Sequence, residues 1–312
     1  MVSLFSNTIS SVLPRGKTEM IKICFVILHY GDISVTENCV SSISRISDIE
    51  NIRIIIVDND VQKSDVKRQK LTEKYRKCAQ IKVLQMREKC GFSKANNVGY
   101  RYGKFYYDPE YMVICNNDIE FVQKDFIERL DHIYRENPFA VLGPDVVRIR
   151  NQEHQNPMDT RMRTMKEAEY TIRMNRIGLK YFSLLYPGLY LQHKSVEKKK
   201  LKEKEKKADW YKTQHEDIVP FGACLIFSKD FIQKEENAFE PETQFYYEEY
   251  ILAYRCYKKQ YRILYDPLLQ VLHESGAATK KTFGSMRKQM KFRMERTMEA
   301  AQIYKSVVNN EK

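Results

Sequence analysis

The chain has a single Trp among 312 residues, with 11 Gly and 9 Pro. So little Gly and Pro excludes a collagen-like or low-complexity chain. Its seven Cys, at positions 24, 39, 78, 90, 115, 224 and 256, form no Cys-x-x-Cys pair. That argues against a zinc ribbon and a disulfide framework, and it points to a reducing, cytosolic compartment. No apolar run approaches the roughly 18–20 residues of a membrane span. Residues 1–20 lack a signal peptide's order, because Arg15 and Lys17 follow the weakly apolar part instead of preceding it. They read as a loose extension. The dinucleotide fingerprint Gly-x-Gly-x-x-Gly and the Walker loop are both missing. The six His have no helical metal spacing, and no Ser/His/Asp or Cys/His set can be assembled.

What is present is an ordinary globular composition, 43% hydrophobic and 30% charged, with 21 Tyr. The length suits one large or two ordinary domains. The net charge of +12 favours an anionic partner.

From Ile21 apolar runs alternate with helical patterns. Strands are expected at Ile21–Leu28, Ile52–Val57, Ile81–Leu84, Tyr111–Cys115 and Phe139–Val147. Helices are expected at Val35–Ile46 with Ser34 as N-cap, Val66–Lys77, Ser93–Phe105 and Lys124–Arg135. Strands that are apolar throughout imply a sheet covered on both faces, as in parallel α/β folds. Ligands of such sheets bind beyond the carboxyl ends of the strands.

The alternation stops near residue 150. Asn151–Thr160 reads as a polar loop and Arg161–Arg176 as a basic helix. The aromatic run Tyr181–Tyr190 follows, and Lys194–Lys207 then holds eight Lys against three Glu. Residues 151–212 form a basic and aromatic insertion, too short to bury a core of its own. Order returns with a strand over Ile218–Phe227, a helix over Phe245–Lys259, and two strands, Tyr261–Tyr265 and Leu268–His273, parted by Asp266-Pro267. The tail 277–312 is expected to be helical, with seven Lys or Arg and one Glu from Lys280 to Arg296.

Several polar groups fall where a ligand would sit. Asp58-Asn59-Asp60 ends the second strand, and a carboxylate there can accept from a nucleobase or ribose or serve as a turn residue. Gly91-Phe92-Ser93-Lys94-Ala95-Asn96-Asn97-Val98-Gly99 opens a helix, whose free N–H groups can bind phosphate or be simply capped. Asn116-Asn117-Asp118 ends the fourth strand and offers oxygen ligands for Mg²⁺ or Mn²⁺, or a cap. Glu248-Glu249 begin a helix, where acids suit the dipole; one of them held near a hydroxyl would be a base. His273 ends the last strand.

The order of these pieces resembles the family 2 glycosyltransferases, bacterial rhamnosyltransferase-like enzymes in particular. The likeness runs from about Ile21 to Gly276, outside the insertion. It implies a GT-A fold over 21–276: a Rossmann-like, mostly parallel sheet flanked by helices. Residues 21–150 would be the nucleotide-binding half and 213–276 the acceptor and catalytic half. It also implies a nucleotide-diphospho-sugar donor and a glycan or lipid-linked acceptor. Asp58, Leu28 and Tyr30 would meet the base. Gly91, Phe92, Asn96 and Asn97 would lie in the donor-site helix. Asn116-Asn117-Asp118 would be a variant Asp-x-Asp motif lacking its first Asp, with Asp118 and His273 on a divalent cation. Glu248-Glu249-Tyr250-Ile251-Leu252 would match Glu-Asp-x-Asp-Leu, so Glu249 takes the place of the catalytic Asp beside Glu248. Ile251 departs from the second Asp.

The reaction implied is inverting transfer, with a role in surface polysaccharide synthesis. The basic insertion and tail suit an anionic membrane at the inner, cytoplasmic face, or a solvated charged surface. Three other readings stay open: an inactive glycosyltransferase-like protein, a nucleotidyltransferase, and a non-enzymatic binder of anionic polymers. An early Gly-rich loop with Arg and Lys would support the nucleotidyltransferase, and residues 28–33 have none. Nucleic acid is not expected as a partner, because the charge gathers in two segments and no RNA or DNA module is visible.

Overall fold

The computed structural model describes residues 21–61, 65–191, 209–274 and 285–310. The expected extension 1–20, the Lys-rich run 194–207 and the first residues of the tail lie outside these.

The first half follows the apolar pattern closely. Strands β1 (Ile23–His29), β2 (Ile52–Asp58), β3 (Ile81–Gln85) and β4 (Tyr111–Asn116) alternate with helices α1 (Ile33–Ile43), α2 (Asp65–Tyr75) and α3 (Phe92–Tyr106). The four strands pair in parallel, in the order β3-β2-β1-β4. Every residue of β1 except Leu28 is buried, which explains its unbroken apolar character. α1 is capped by Asp32, not by Ser34 as expected: Ser34 N–H donates to Asp32 Oδ1 at 3.1 Å, satisfying a helix-end donor.

The second half is less regular. It comprises β5 (Ile119–Phe121), α4 (Phe126–Glu136), β6 (Val141–Arg148), β7 (Glu153–His154), α5 (Met165–Lys180), β8 (His215–Glu216), β9 (Cys224–Ser228), α6 (Lys229–Lys234), α7 (Glu248–Lys258), β10 (Ile263–His273) and α8 (Met286–Asn310). Residues 182–191 are also helical. The sheet continues β4-β9-β6-β10-β5, with β9 and β5 antiparallel to their neighbours. β7 pairs with β6 and β8 with β10, giving ten strands among the described residues.

Helices cover both faces. One core layer gathers Phe25, Phe121, Phe126 and Leu130, with Phe121 edge-on to Phe25 at 5.0 Å. The other gathers Val26, Val57, Tyr100, Phe227 and Phe239 beneath α3, α7 and α8. Each such side chain contributes about 1.5–3 kcal/mol by leaving water.

Three expectations change in detail. The strand expected over Ile218–Phe227 begins only at Cys224. Upstream, Val219 makes an isolated backbone bridge with Asp159, and side chains take over from there: Phe221 N–H donates to Asn156 Oδ1 at 3.1 Å, and Gly222 N–H donates to Glu249. The two strands expected around Asp266-Pro267 are one strand with a bulge between Asp266 and Gln270. Pro267 has no N–H for a ladder, and Leu268 N–H turns back to Asp266 Oδ1 at 2.8 Å. The helix expected from Phe245 starts at Glu248, because Tyr246 and Tyr247 take left-handed φ values of 72° and 65°.

Candidate active site

The carboxyl ends of β1, β2, β4 and β10 bring four of the expected clusters to one edge of the sheet. At the end of β2, Asp58 is buried and fully engaged. Its Oδ1 accepts from Asp60 N–H at 3.1 Å, and its Oδ2 lies 3.3 Å from Arg68 Nε. Arg68, on α2, also donates to the Met86 carbonyl at 2.6 Å. Sequence reading missed Arg68 because α2 is a charged helix in which no cation stands out. Asn59 bonds Cys90 in both directions, at 2.8 and 3.0 Å, and Asp60 Oδ2 accepts from Gly31 N–H at 3.0 Å. The three residues thus tie the loops after β1, β2 and β3 together. Leu28 and Tyr30 are partly exposed beside them. Lys89 lies over the Tyr30 ring at 4.8 Å from its centroid.

The start of α3 is pressed against a distant loop. A Cβ on Gly91 would stand 2.4 Å from the Gln244 backbone, so only glycine fits there. Phe92 N–H donates to the Gln244 carbonyl at 2.7 Å, and Ser93 Oγ lies 2.5 Å from Thr243 Oγ1. Asn97 is buried, with both ends of its amide used by the Phe239 backbone, at 2.8 and 3.0 Å. Asn96 is equally buried. Its Nδ2 donates to the Phe92 carbonyl at 3.1 Å, while Oδ1 has no partner. Of the two amides, Asn96 keeps an unused acceptor.

Beyond β4, Asn117 donates to Thr36 Oγ1 at 2.9 Å and to the Tyr30 carbonyl at 3.3 Å. Thr36 in turn meets buried His29 Nδ1 at 2.6 Å. Asn116 is partly exposed, and its N–H donates to the Ala223 carbonyl at 2.9 Å.

Asp118 and His273 come together as expected, with His273 Nε2 3.2 Å from Asp118 Oδ1. Gln155 Oε1 sits 2.7 Å from His273 Nδ1. An amide oxygen only accepts, so Nδ1 donates to Gln155 and Nε2 is the nitrogen turned toward Asp118. The Asp118 carboxylate and the Nε2 edge of the ring face each other there, a geometry that a shared proton or a bound cation satisfies. The Asp118 side chain is 12% exposed, which leaves an approach from solvent. One carboxylate and one imidazole fit a Mg²⁺- or Mn²⁺-type ion whose other positions are filled by water and diphosphate. Among the described residues, no three His, Cys, Asp or Glu side chains converge on such a site, so the protein alone would not complete the shell. Gln155 lay unseen within a stretch that reads as a polar loop.

Glu249 reaches the same neighbourhood from α7. Its carboxylate accepts from Gly222 N–H, and a Cβ on Gly222 would stand 2.5 Å from its Oε1. Gly222 adjoins Ala223, whose carbonyl holds Asn116, so backbone links the carboxylate to the Asn116–Asp118 turn. Burial raises the Glu249 pKa above the usual carboxylate range. Glu248 is buried, with Oε1 unpartnered. Burial first, and repulsion from Glu249 second, push its pKa well up. Two left-handed tyrosines lead into this pair, a conformation costing about 1–3 kcal/mol each. Packing holds it: Arg163 stacks 5.2 Å from the Tyr247 ring and 4.6 Å from Tyr250, and Tyr304 of α8 donates to the Arg163 carbonyl at 2.5 Å.

Known proteins place this arrangement. Residues 24–200 match Glycosyl transferase family 2, more than half of the chain. The chain belongs to that family, and its curled, mostly parallel sheet flanked by helices is the GT-A fold. Among solved structures it is similar to S. aureus TarS residues 1–349, at 13% identity and a TM-score of 0.50, covering 81% of this chain and 60% of that one. It is also similar to GalNAc-T7 solved with UDP, GalNAc and Mn²⁺, at 12% identity and a TM-score of 0.52, covering 82% of this chain and 44% of that one. This chain therefore spans less than two thirds of either solved chain. No curated protein matches it.

Proposed function

We propose that this chain transfers a sugar from a nucleotide-diphospho-sugar to an acceptor hydroxyl, with inversion at the anomeric carbon and Glu249 as the base. The observation that carries the reading is the Glu249 carboxylate, fixed by Gly222 N–H beside the Asn116–Asp118 turn. Glu249 takes the acceptor's proton, and the freed oxygen pair bonds to the anomeric carbon. The bond from that carbon to the diphosphate oxygen breaks, and the diphosphate leaves with its electrons. A divalent cation, held by Asp118 and His273, supplies Lewis-acid stabilisation of the leaving diphosphate when bound. Tyr30, Leu28 and Asp58 border the base, and the start of α3 at Gly91-Phe92 borders the phosphates. The raised pKa of Glu249 makes it a stronger base once ionised.

The acceptor is a glycan or lipid-linked sugar, and the setting is surface polysaccharide synthesis of the rhamnosyltransferase kind, at the cytoplasmic face of a membrane. The resemblance of the motifs supports the first two. The unpaired, mostly buried cysteines suit a reducing compartment.

The test is a melting scan with UDP, TDP, GDP and ADP, each with and without Mn²⁺. A diphosphate at about 100 times its Kd adds roughly 2.7 kcal/mol, or about 5 °C. One nucleotide is expected to raise the melting point with Mn²⁺, and Asp118→Ala to remove that gain. No shift with any nucleotide at saturation would overturn the donor site.

A further inference from the structure

We propose that one end of the α5–α8 helix pair is a docking surface for an anionic lipid bilayer. The two helices run antiparallel: Lys305 pairs with Glu169 at 2.7 Å near one end, and Arg287 Nη2 donates to Ser183 Oγ at 3.1 Å near the other. Charge is divided unevenly along them. At the Lys305 end two cations have acidic partners, Lys305 with Glu169 and Arg161 with Glu167. Towards the other end, residues 173–191 contain Arg173, Arg176 and Lys180 and no acid. Residues 285–294 contain Arg287, Lys288, Lys291 and Arg293, again with no acid. All seven cations are exposed.

The same end exposes large apolar groups. Leu184 is 80% exposed, Leu191 67% and Tyr181 48%. Between the helices opens a cavity of about 530 Å³, lined by Leu179, Phe182 and Leu184 together with Lys180, Arg287 and Lys291. Arg287 is set into its wall, stacked 5.9 Å from Phe182 and 5.4 Å from Tyr186.

Cations alone would suit any acidic polymer. Protruding leucines among cations suit a bilayer, where apolar side chains enter the acyl boundary while the charges meet anionic headgroups. The surface also adjoins the reaction site. Phe292 of α8 packs on Phe245 at 5.6 Å, and Arg296 holds Gln244 Oε1 at 2.6 Å. Residues 244–247 then lead straight into Glu248-Glu249. A bilayer on this face would set a lipid-linked acceptor next to the base. The inference deepens the membrane part of the reading above and depends on no step of the transfer reaction.

Co-sedimentation of the full chain with vesicles tests it, using phosphatidylcholine alone and with about 30% phosphatidylglycerol. Binding is expected only with the anionic lipid, weakening as salt is raised. Lys180→Gln, Lys288→Gln and Lys291→Gln together should weaken it about 100-fold, at roughly fivefold per cation. Leu184→Ser should weaken it about tenfold. Lys70→Gln with Lys77→Gln, exposed on the far side, should change nothing. Equal binding to both vesicle types would overturn the proposal, and so would insensitivity to the three-cation variant. Loss with the cation variant but none with Leu184→Ser, alongside equal competition by polyglutamate, would assign the surface to an acidic polymer instead. The nucleotide melting shift of the same preparations reports the donor site separately. Its absence with vesicle binding intact strikes only the transfer reading.

Discussion

Between Ile23 and Asn116 the sheet grows by parallel strands in unbroken register, with a helix after each of the first three. Between Ile119 and His273 strand directions are mixed, β10 shifts register, and the segments near the site are joined by side chains. Gln155 holds His273, 118 positions away, and Asn156 holds Phe221, 65 positions away. In the first half, then, the backbone ladder places the strand ends, and side chains such as Asn59 and Asn97 brace the loops beyond them. In the second, individual side chains bonded to distant partners place the polar groups. A ladder tolerates change at any one side chain, whereas a cross-brace depends on each of its members.

The largest expected effect breaks the second half while sparing the first. Glu249→Gln should lower transfer about 10²–10⁴-fold, with the nucleotide melting shift retained. Turnover measured beside that shift decides it, and full activity would remove Glu249 from the mechanism. Gly222→Ala should reach a similar outcome from the backbone side. Its methyl would fall 2.5 Å from Glu249 Oε1, and displacing the carboxylate should cost about 100-fold in rate.

Asn97→Ala sharpens the contrast by testing a brace inside the regular half. It would leave the buried Phe239 N–H and carbonyl unpaired, at a cost of about 2–4 kcal/mol in urea unfolding. A loss below about 0.5 kcal/mol would mean that the 239 loop is held by other contacts.

The smallest effect is a pH dependence at Glu248. Burial raises its pKa in the fold above the unfolded value of about 4.3. The folded chain therefore binds that proton more tightly. The stability it lends is fully present below the unfolded value and is lost as pH rises through the folded one. Glu248→Gln cannot ionise, so its melting point should gain on the wild type as the pH rises above about 4.3. A difference that stays constant with pH would show that Glu248 has the same pKa in the folded and unfolded chain.

The same contrast explains what could be read in advance. Continuous apolar runs marked β1, β2 and β4 because strands buried on both faces favour apolar residues at nearly every position. Asp58, Asp118 and His273 could be picked out because each stands where such a run stops. The turn into Glu248 could not be, since nothing local in Phe245-Tyr246-Tyr247 requires left-handed backbone. Stacking on Arg163 and Tyr304, far away in the chain, imposes it. Nor could the interrupted strand before Cys224, where Asn156 and Glu249 take the N–H groups of Phe221 and Gly222.

By itself, the sequence determined a mostly parallel α/β sheet and the row of polar groups at its carboxyl edge, because hydrophobic periodicity and strand ends are local properties of a chain. Tertiary structure alone decided that Arg68 pairs with Asp58, that Gln155 fixes the His273 ring toward Asp118, and that Gly222 holds the Glu249 carboxylate. Each of those contacts joins residues that only the packed sheet brings within hydrogen-bond distance, and each gains its strength from burial, which depends on the whole fold.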